Sequence, residues 1–303
     1  SHRIVLQHLM AALLLASSKG PDGGAAKPGD TIIYNVAPRP YFAGYIGHGL
    51  SEQFGFRMLP PTGEADNLEF SKRVEKGFEM ALRTGADILC SLSSVLVRMG
   101  ESFTQQRVSR GISRAYLHPN VLFRLTRAYL SSRLQGRHVL PKDLRRVKAV
   151  IGWGLDTSLY SKKIEYYWGV EPYELQGCTE AGILALQAWN KKGLTLLPQA
   201  AFFEFISEEE SLRSRQVEGY RPATVLLDGL EVGKRYELVL TSFHGMPFIR
   251  CRVGHLIKVL AKDDPETGVR LPQVAFVGRT DGVIDLAGFT RLDEKTVHQA
   301  IHA

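Results

Sequence analysis

The chain has 303 residues, of which 44% are apolar and 23% are charged. It is long and apolar enough to form one large domain or two modest ones, each with a substantial core, which excludes a disordered chain. The formal net charge of +7 is informative about partners but not about the fold.

Cysteine usage excludes two further classes of protein. The three cysteines, Cys90, Cys178 and Cys251, form no Cys-x-x-Cys pair and have no regular spacing. Neither a disulfide framework nor a zinc site is therefore indicated. The pattern favours a reducing environment, and we expect a cytoplasmic protein.

The amino-terminal segment is charged and then apolar. Ser-His-Arg precedes an apolar run over 4–16 that Gln7 and His8 interrupt. This pattern fits either a secretory signal or a buried helix. The run is too short and too interrupted to span a bilayer, so no membrane partner is expected.

The first half of the chain alternates predicted strands and helices. Apolar periodicity and turn residues predict helices over 4–17, 67–84, 156–168 and 180–189, and strands over 30–35, 86–92, 147–153 and 174–176. This alternation indicates an α/β fold with a mixed, mostly parallel sheet flanked by helices. Ligands of such a sheet bind at the carboxyl ends of its strands.

An aromatic, glycine-rich loop is predicted after the first strand. It contains Tyr41, Phe42 and His48. Tyr41 and Phe42 either line an apolar slot for a carboxylic acid substrate or pack in the core. His48 has no partner visible in the sequence and is assigned no role.

Positive charge is concentrated between Arg107 and Lys148. This stretch has eleven Lys or Arg residues and one acid, Asp143. Such a block can attract a polyanion, but Arg residues interleaved with apolar residues at helical spacing are also typical of a solvated helix face. The second interpretation makes a nucleic acid an unlikely partner.

After residue 193 the pattern changes to a β-rich, antiparallel one. Strands are predicted over 199–207, 223–227, 235–242, 255–260 and 274–277, and only a last helix over 293–302 returns to α. We therefore place a boundary near 192. It divides the chain into an α/β subdomain, 1–192, and a β-rich subdomain, 193–303.

Three separated patches carry the functional signal. They are Gly-Cys-Thr-Glu-Ala-Gly at 177–182, Tyr-Glu-Leu-Val-Leu-Thr-Ser at 236–242 with Arg-Val-Gly-His at 252–255, and Phe-Val-Gly-Arg-Thr-Asp-Gly-Val-Ile at 276–284. Their order and content resemble the nucleotide-binding half of the adenylate-forming superfamily. Within it, the chain is most similar to the acyl-acid amido synthetases of the auxin-conjugating type, and the phenylacetate-coenzyme A ligase type is the near competitor.

The resemblance implies an ATP-dependent ligase that makes an acyl-adenylate and transfers the acyl group to an amine. Gly177, Cys178 and Thr179 would bind phosphate where a strand ends and a helix opens, with Thr179 donating to the α-phosphate. Glu180 would hold Mg²⁺. Taken alone, Thr179 and Glu180 could equally cap a helix.

Further roles follow from the same resemblance. Gly154 and Leu155, in the turn over 152–156, would border the adenine, although this turn could also be an ordinary strand-to-helix loop. Arg279 would contact the ribose or phosphates. Asp281 would be the hinge to a small carboxy-terminal domain.

The sequence departs from the family at several points. A phosphate loop ending in Lys is not found, and the chain stops at the hinge, before the small domain and its lysine. His255 stands where the family has an Asp for the ribose, and Gln176 replaces an aromatic that stacks on adenine. A neutral His accepts one hydrogen bond but not two. Two alternatives therefore stay open, a thiol (coenzyme A) ligase and a non-catalytic relative or fragment.

Overall fold

The computed structural model describes residues 2–109, 119–153, 157–243 and 246–280, and the backbone of 284–286 and 290–292. Gly154, Leu155, Asp281 and the last predicted helix lie outside the described residues, as does the side chain of Phe42.

The chain forms two compact units. Leu13–Ser18 with Asp22–Tyr173 form the parallel unit, and Ser1–Ala12, Lys19–Pro21 and Glu174–Ala303 form the antiparallel unit. The boundary near residue 192 between an α/β subdomain and a β-rich subdomain stays a prediction.

The parallel unit is built on four strands in the order β2-β1-β3-β4, all paired in parallel. Their apolar residues are buried on both faces, which is typical of a parallel sheet covered by helices. Trp168 packs in the core beside this sheet and donates its indole N–H to the Leu96 carbonyl at 3.1 Å. The strands are β1 (Thr31–Asn35), β2 (Arg57–Leu59), β3 (Ile88–Leu92) and β4 (Ala149–Trp153).

Eight helices occur in the described residues up to Trp168. They are α1 (His2–Ala16), α2 (Phe42–Phe54), α3 (Thr62–Ala65), α4 (Phe70–Thr84), α5 (Ser93–Ser109), α6 (Pro119–Leu134), α7 (Pro141–Leu144) and α8 (Thr157–Trp168). The predicted helices at 4–17, 67–84 and 156–168 are confirmed as α1, α4 and α8. No helix of the described chain is both long and apolar enough to cross a membrane.

The antiparallel unit contains seven strands in the order β5-β6-β7-β11-β10-β9-β8, and each neighbouring pair is antiparallel. One core cluster lies beneath them and includes Leu184, Phe205, Leu240 and Val259. A two-stranded hairpin, β12 (Ile284–Leu286) and β13 (Thr290–Leu292), follows. The seven strands are β5 (Tyr173–Cys178), β6 (Gly182–Gln187), β7 (Leu194–Leu196), β8 (Phe202–Ser207), β9 (Arg235–Ser242), β10 (Phe248–Ala261) and β11 (Gln273–Arg279).

The predicted helix over 180–189 is wrong. This segment is strand β6, which pairs antiparallel with β5 across a turn at 179–181. All six residues of β6 are buried. A strand buried on both faces is a continuous apolar run, which periodicity cannot distinguish from a short buried helix. The hairpin also makes β5 antiparallel to its neighbour, where the sequence indicated another parallel unit.

Two other segments of the antiparallel unit also differ from prediction. The expected strand over 223–227 reduces to a single bridge between Val225 and Phe205, followed by a 3₁₀ turn at Leu227–Gly229. Helix α9 (Glu208–Gln216) was not predicted. Its signals were present, because Ser207 caps the helix by accepting from the Glu210 N–H and three glutamates occupy the first turn.

A buried ion pair connects α9 to strands β9 and β10. The Glu237 side chain is 2% exposed and accepts two hydrogen bonds from the Arg252 guanidinium, at 2.9 and 2.5 Å. The Ser211 hydroxyl donates to the same carboxylate. Burial raises the pKa of Glu237, but the bonds from Arg252 and Ser211 outweigh it, and the net shift lowers the pKa below its ordinary value.

Candidate active site

The turn between β5 and β6 carries the residues assigned to phosphate and metal. Cys178 opposes Gly182 in the hairpin, so Thr179, Glu180 and Ala181 form the turn itself. Thr179 is exposed and Glu180 is half-buried. Because the turn leads into a strand, no helix dipole is directed at a phosphate here, and that part of the prediction is wrong.

Cys178 is the last residue of β5 and directly precedes this turn. The Glu180 carboxylate and the backbone N–H groups of Glu180 and Ala181 lie near its sulfur. Burial, followed by the charge of Glu180, raises the pKa of Cys178 to about 12 and also raises the pKa of Cys251. Glu180 thus lies close enough to both cysteines for its charge to be felt.

Cys178 should consequently alkylate slowly. At pH 8 almost none of a thiol with so high a pKa is thiolate, and the thiolate is the nucleophile. We expect iodoacetamide to modify Cys178 at least about tenfold more slowly in the native than in the unfolded protein. Mass spectrometry of peptides after timed quenching measures this, with exposed Cys in a reference peptide as control. Equal rates in the native and unfolded protein would contradict the burial that raises the pKa of this thiol.

Gly177 has a structural reason to be glycine. A Cβ at this position would lie 2.8 Å from the Gly182 carbonyl oxygen, across the hairpin. The β5–β6 pairing also shifts register between Gln176 and Gly177. The glycine therefore permits the close approach of two strands at a bulge, whatever it does for a ligand.

Gln176 and His255 come together although three strands separate β5 from β10 in the sheet order. The Gln176 Nε2 lies 3.3 Å from His255 Nδ1, so the sheet curls until its distant strands meet. His255 is buried, and its ring packs edge-on against Phe276 with centroids 5.0 Å apart. When Gln176 donates this bond, Nδ1 is the accepting nitrogen and the ring proton is on Nε2.

Arg279 is the last residue of β11 and is paired with His255 across the β10–β11 ladder. The strand end is fixed by Thr280, whose N–H donates to the Gly254 carbonyl at 2.8 Å. The structure therefore gathers Gln176, His255 and Arg279 at one place in the antiparallel unit. Cys178 and Glu180 continue from Gln176 along β5 and its turn.

Glu174 was missed by the sequence analysis. It lies two residues before Gln176 on β5, which places both side chains on the same face of the strand. Burial raises its pKa to about 7. An alternation of polar residues along Glu174 and Gln176 was the available signal, but a carboxyl's burial cannot be read from sequence.

The residues predicted to bind the acid belong to the parallel unit. The expected loop is helix α2, which starts at Phe42, and Tyr41 precedes it as the N-cap residue. Tyr41 is 64% exposed, so it is not a core aromatic. His48 has the partner that the sequence did not show, because its Nε2 lies 2.9 Å from Asp66 Oδ2. His48 Nδ1 lies 3.6 Å from the Glu52 carboxylate, so both ring nitrogens face a carboxylate.

Polar groups line the carboxyl ends of the parallel strands. Asn35 and Ser91 are fully buried neighbours on β1 and β3, and among the described residues their Oδ1 and Oγ atoms have no hydrogen-bond partner. Ser93 and Thr157 share a hydrogen bond of 2.8 Å, and a Cβ on Gly152 would lie 2.6 Å from Ser93 Oγ. The strand ends nearest the predicted adenine turn are thus polar and tightly packed.

The described residues contain no cluster of three or more potential metal-ligating side chains. Mg²⁺ does not require one, because it is commonly held by one or two carboxylates together with substrate phosphates. A single half-buried carboxylate at Glu180 is compatible with that donor set.

Solved structures identify the class of fold. An acyl acid amido synthetase, AtGH3.15, in complex with 2,4-DB superposes with a TM-score of 0.58 at 15% identity, covering 99% of this chain and 55% of that one. A 2-hydroxyisobutyryl-CoA ligase in complex with 2-HIB-AMP and CoA gives a TM-score of 0.61 at 12% identity, covering 99% and 52%. The chain has the α/β fold of the adenylate-forming enzymes and spans about half the length of these structures.

Sequence comparison indicates a family within this class of fold. Residues 194–279 match the GH3 family central domain. A probable indole-3-acetic acid-amido synthetase, GH3.6 of Oryza sativa subsp. japonica, is 41% identical over 64 residues, which are 21% of this chain and 12% of that protein. A second, GH3.11 of the same organism, is 33% identical over 111 residues, 35% and 17% of the two chains. The resemblance to the acyl-acid amido synthetases is confirmed.

Proposed function

We propose that this chain uses ATP to activate a carboxylic acid as an acyl-adenylate and transfers the acyl group to an amine, with an amino acid as acceptor. The observation that carries the proposal is the GH3 central-domain match over 194–279, which includes both His255 and Arg279. His255 contacts Gln176 and is the ladder partner of Arg279, in the same unit as Glu180. Relatives in this family are named indole-3-acetic acid-amido synthetases.

The proposed reaction has two steps. A carboxylate oxygen attacks the α-phosphorus of ATP, the bond to the β-phosphate oxygen breaks, and pyrophosphate leaves with that electron pair. The amine then attacks the acyl carbon, AMP leaves, and the amine loses a proton. Both steps develop negative charge on phosphate oxygens, which cationic groups and hydrogen-bond donors stabilise.

Individual roles in the antiparallel unit follow from this chemistry. Arg279 binds ribose or phosphate, and Thr179 donates its hydroxyl to the α-phosphate from an exposed turn. Glu180 holds Mg²⁺, which when bound neutralises the phosphates and the leaving pyrophosphate. Gln176 and His255 border the nucleoside.

The roles proposed for residues of the parallel unit are those predicted from the sequence. Tyr41 and Phe42 contact the acid, and Gly154 and Leu155 border the adenine. Asp281, which belongs to the antiparallel unit, is the hinge to a small domain. The exposure of Tyr41 supports its availability to a substrate.

Two alternatives have observations in their favour. A thiol acceptor is favoured by the coenzyme A ligases that share this fold. A non-catalytic relative is favoured by the contact of His255 Nδ1 with Gln176, because it engages a group that a nucleotide could use.

ATP–pyrophosphate exchange with a panel of aromatic and aliphatic carboxylic acids tests the proposal. Exchange that depends on one class of acid is expected. The acceptor is then identified by AMP release in the presence of amino acids or of coenzyme A. Exchange followed by AMP release with coenzyme A alone would favour the thiol ligase. AMP binding without exchange for any acid would favour the non-catalytic relative and overturn the proposal.

A further inference from the structure

Helix α6 exposes an apolar ridge in the parallel unit. Phe123 is 73% exposed, Leu130 59% and Leu134 90%. Successive residues of a helix are 100° apart, so these three lie within a narrow sector of its surface. The opposite face is buried through Val121, Ala128 and Ser132. The ridge is therefore the outer side of a helix that is already anchored to its own core.

Arginines border the ridge on both sides. Arg127 and Arg133 occupy helix positions that flank Phe123 and Leu130 on opposite sides, and both are exposed. The Arg133 guanidinium lies over the Tyr129 ring at 5.6 Å and donates to its hydroxyl at 3.1 Å, which orients this arginine. Helix α6 contains no acidic residue.

The single acid of the surrounding block is neutralised. Asp143 receives two hydrogen bonds from the Arg137 guanidinium, at 2.6 and 2.8 Å, and an N–H from Leu140. The sequence from 107 to 148 otherwise carries only positive side-chain charge. The sequence block that contains the ridge therefore carries a large excess of positive charge.

We propose that the α6 ridge docks on an anionic lipid surface, with Phe123, Leu130 and Leu134 entering the interfacial region and Arg127 and Arg133 meeting the headgroups. The excess of positive charge beside the ridge fits the negative potential of such a surface. A convex apolar ridge needs no complementary groove there, because lipid chains rearrange around it. A contact of this kind requires no spanning helix and differs from the membrane span that the sequence excluded.

Other occupants fit less well. A nucleic acid would satisfy the arginines but would leave the leucines without apolar contact. A second copy of this chain would bring like charges together if the same face were used. Binding to duplex DNA and the oligomeric state in solution, both measured beside vesicle binding, distinguish these occupants from a lipid surface.

The experiment is sedimentation of the intact chain with vesicles of phosphatidylcholine, with and without about one third phosphatidylglycerol. Binding to the anionic vesicles should be at least about tenfold tighter than to neutral ones and should weaken as ionic strength rises. The double variant Arg127→Glu, Arg133→Glu and the triple variant Phe123→Ser, Leu130→Ser, Leu134→Ser should each lose about tenfold or more.

Matched controls use other exposed positions. Arg98→Glu with Lys162→Glu makes the same change in net charge on α5 and α8, and Leu159→Ser removes an exposed leucine from α8. These variants should bind like the parent, and circular dichroism should show every variant folded. Equal binding to both vesicle types, full binding by the triple variant, or tighter binding to duplex DNA than to anionic vesicles would overturn the proposal.

Discussion

Replacing Glu180 by Gln is expected to reduce acid-dependent ATP–pyrophosphate exchange by at least about a hundredfold, the scale on which removal of one charge-stabilising group affects catalysis. The substitution preserves shape and removes the negative charge that a hard cation prefers. The measurement is the exchange rate at saturating ATP over a range of Mg²⁺ concentrations. An increased requirement for Mg²⁺ is expected together with the loss of rate.

The control for Glu180 is Glu209→Gln. Glu209 is an exposed glutamate in the first turn of α9, so its loss changes net charge equally but leaves the hairpin turn intact. This variant should keep the parental exchange rate. Full activity in Glu180→Gln, with an unchanged unfolding midpoint, would remove Glu180 from the metal role and weaken the ligase assignment.

Replacing Glu237 by Gln is expected to lower the free energy of unfolding by about 3 kcal/mol, the lower end of the range for breaking a buried ion pair. The lower end applies because the Arg252 side chain is 34% exposed and water screens its charge. In the variant, the Arg252 guanidinium would face a neutral amide in place of the carboxylate and would lose its ion pair. Thermal or urea unfolding followed by circular dichroism measures the change.

An exposed ion pair provides the matched control for Glu237. Lys234 and Glu231 lie 2.8 Å apart with side chains 58% and 61% exposed. Glu231→Gln should therefore change stability by less than about 0.5 kcal/mol. Equal effects of the two substitutions would show that burial of Glu237 contributes nothing to the strength of its pair.

The Glu237 contribution should depend on pH in a defined direction. Its pKa is lowered in the folded state, so the folded protein holds this carboxylate charged where the unfolded chain would take up a proton. The stabilisation is present above the unfolded pKa of about 4.3 and is lost as pH falls through the lower folded pKa. The stability difference between the parent and Glu237→Gln should thus shrink below about pH 4.

The local sequence pattern was sufficient to predict a helix or strand where the apolar residues fitted only one of the two periodicities. Strand β1, helix α4 and strand β3 were predicted with nearly correct bounds, because turn residues punctuate them and their periodicities differ. Helix α9 was predictable in principle from its cap and charges. It was missed because it presents almost no apolar stripe.

The candidate site shows the limit of such reasoning. Gly177 to Glu180 was read as a strand leading into a helix, but β6 returns antiparallel to β5. The difference depends on burial from both sides, which is a property of neighbouring strands and not of the segment. The meeting of Gln176 with His255 depends likewise on the curl of the whole sheet.

The sequence by itself determined the α/β fold class, because apolar periodicity and turn residues indicate it. The residue types and order of the three patches determined the resemblance to the acyl-acid amido synthetases. The sequence also named Glu180, His255 and Arg279 as residues to examine. Only the tertiary structure decided that the Glu180 turn belongs to a hairpin, that His48 is engaged by Asp66, and that the α6 ridge is exposed. Each of these depends on contacts between segments distant in sequence, which local chemistry does not specify.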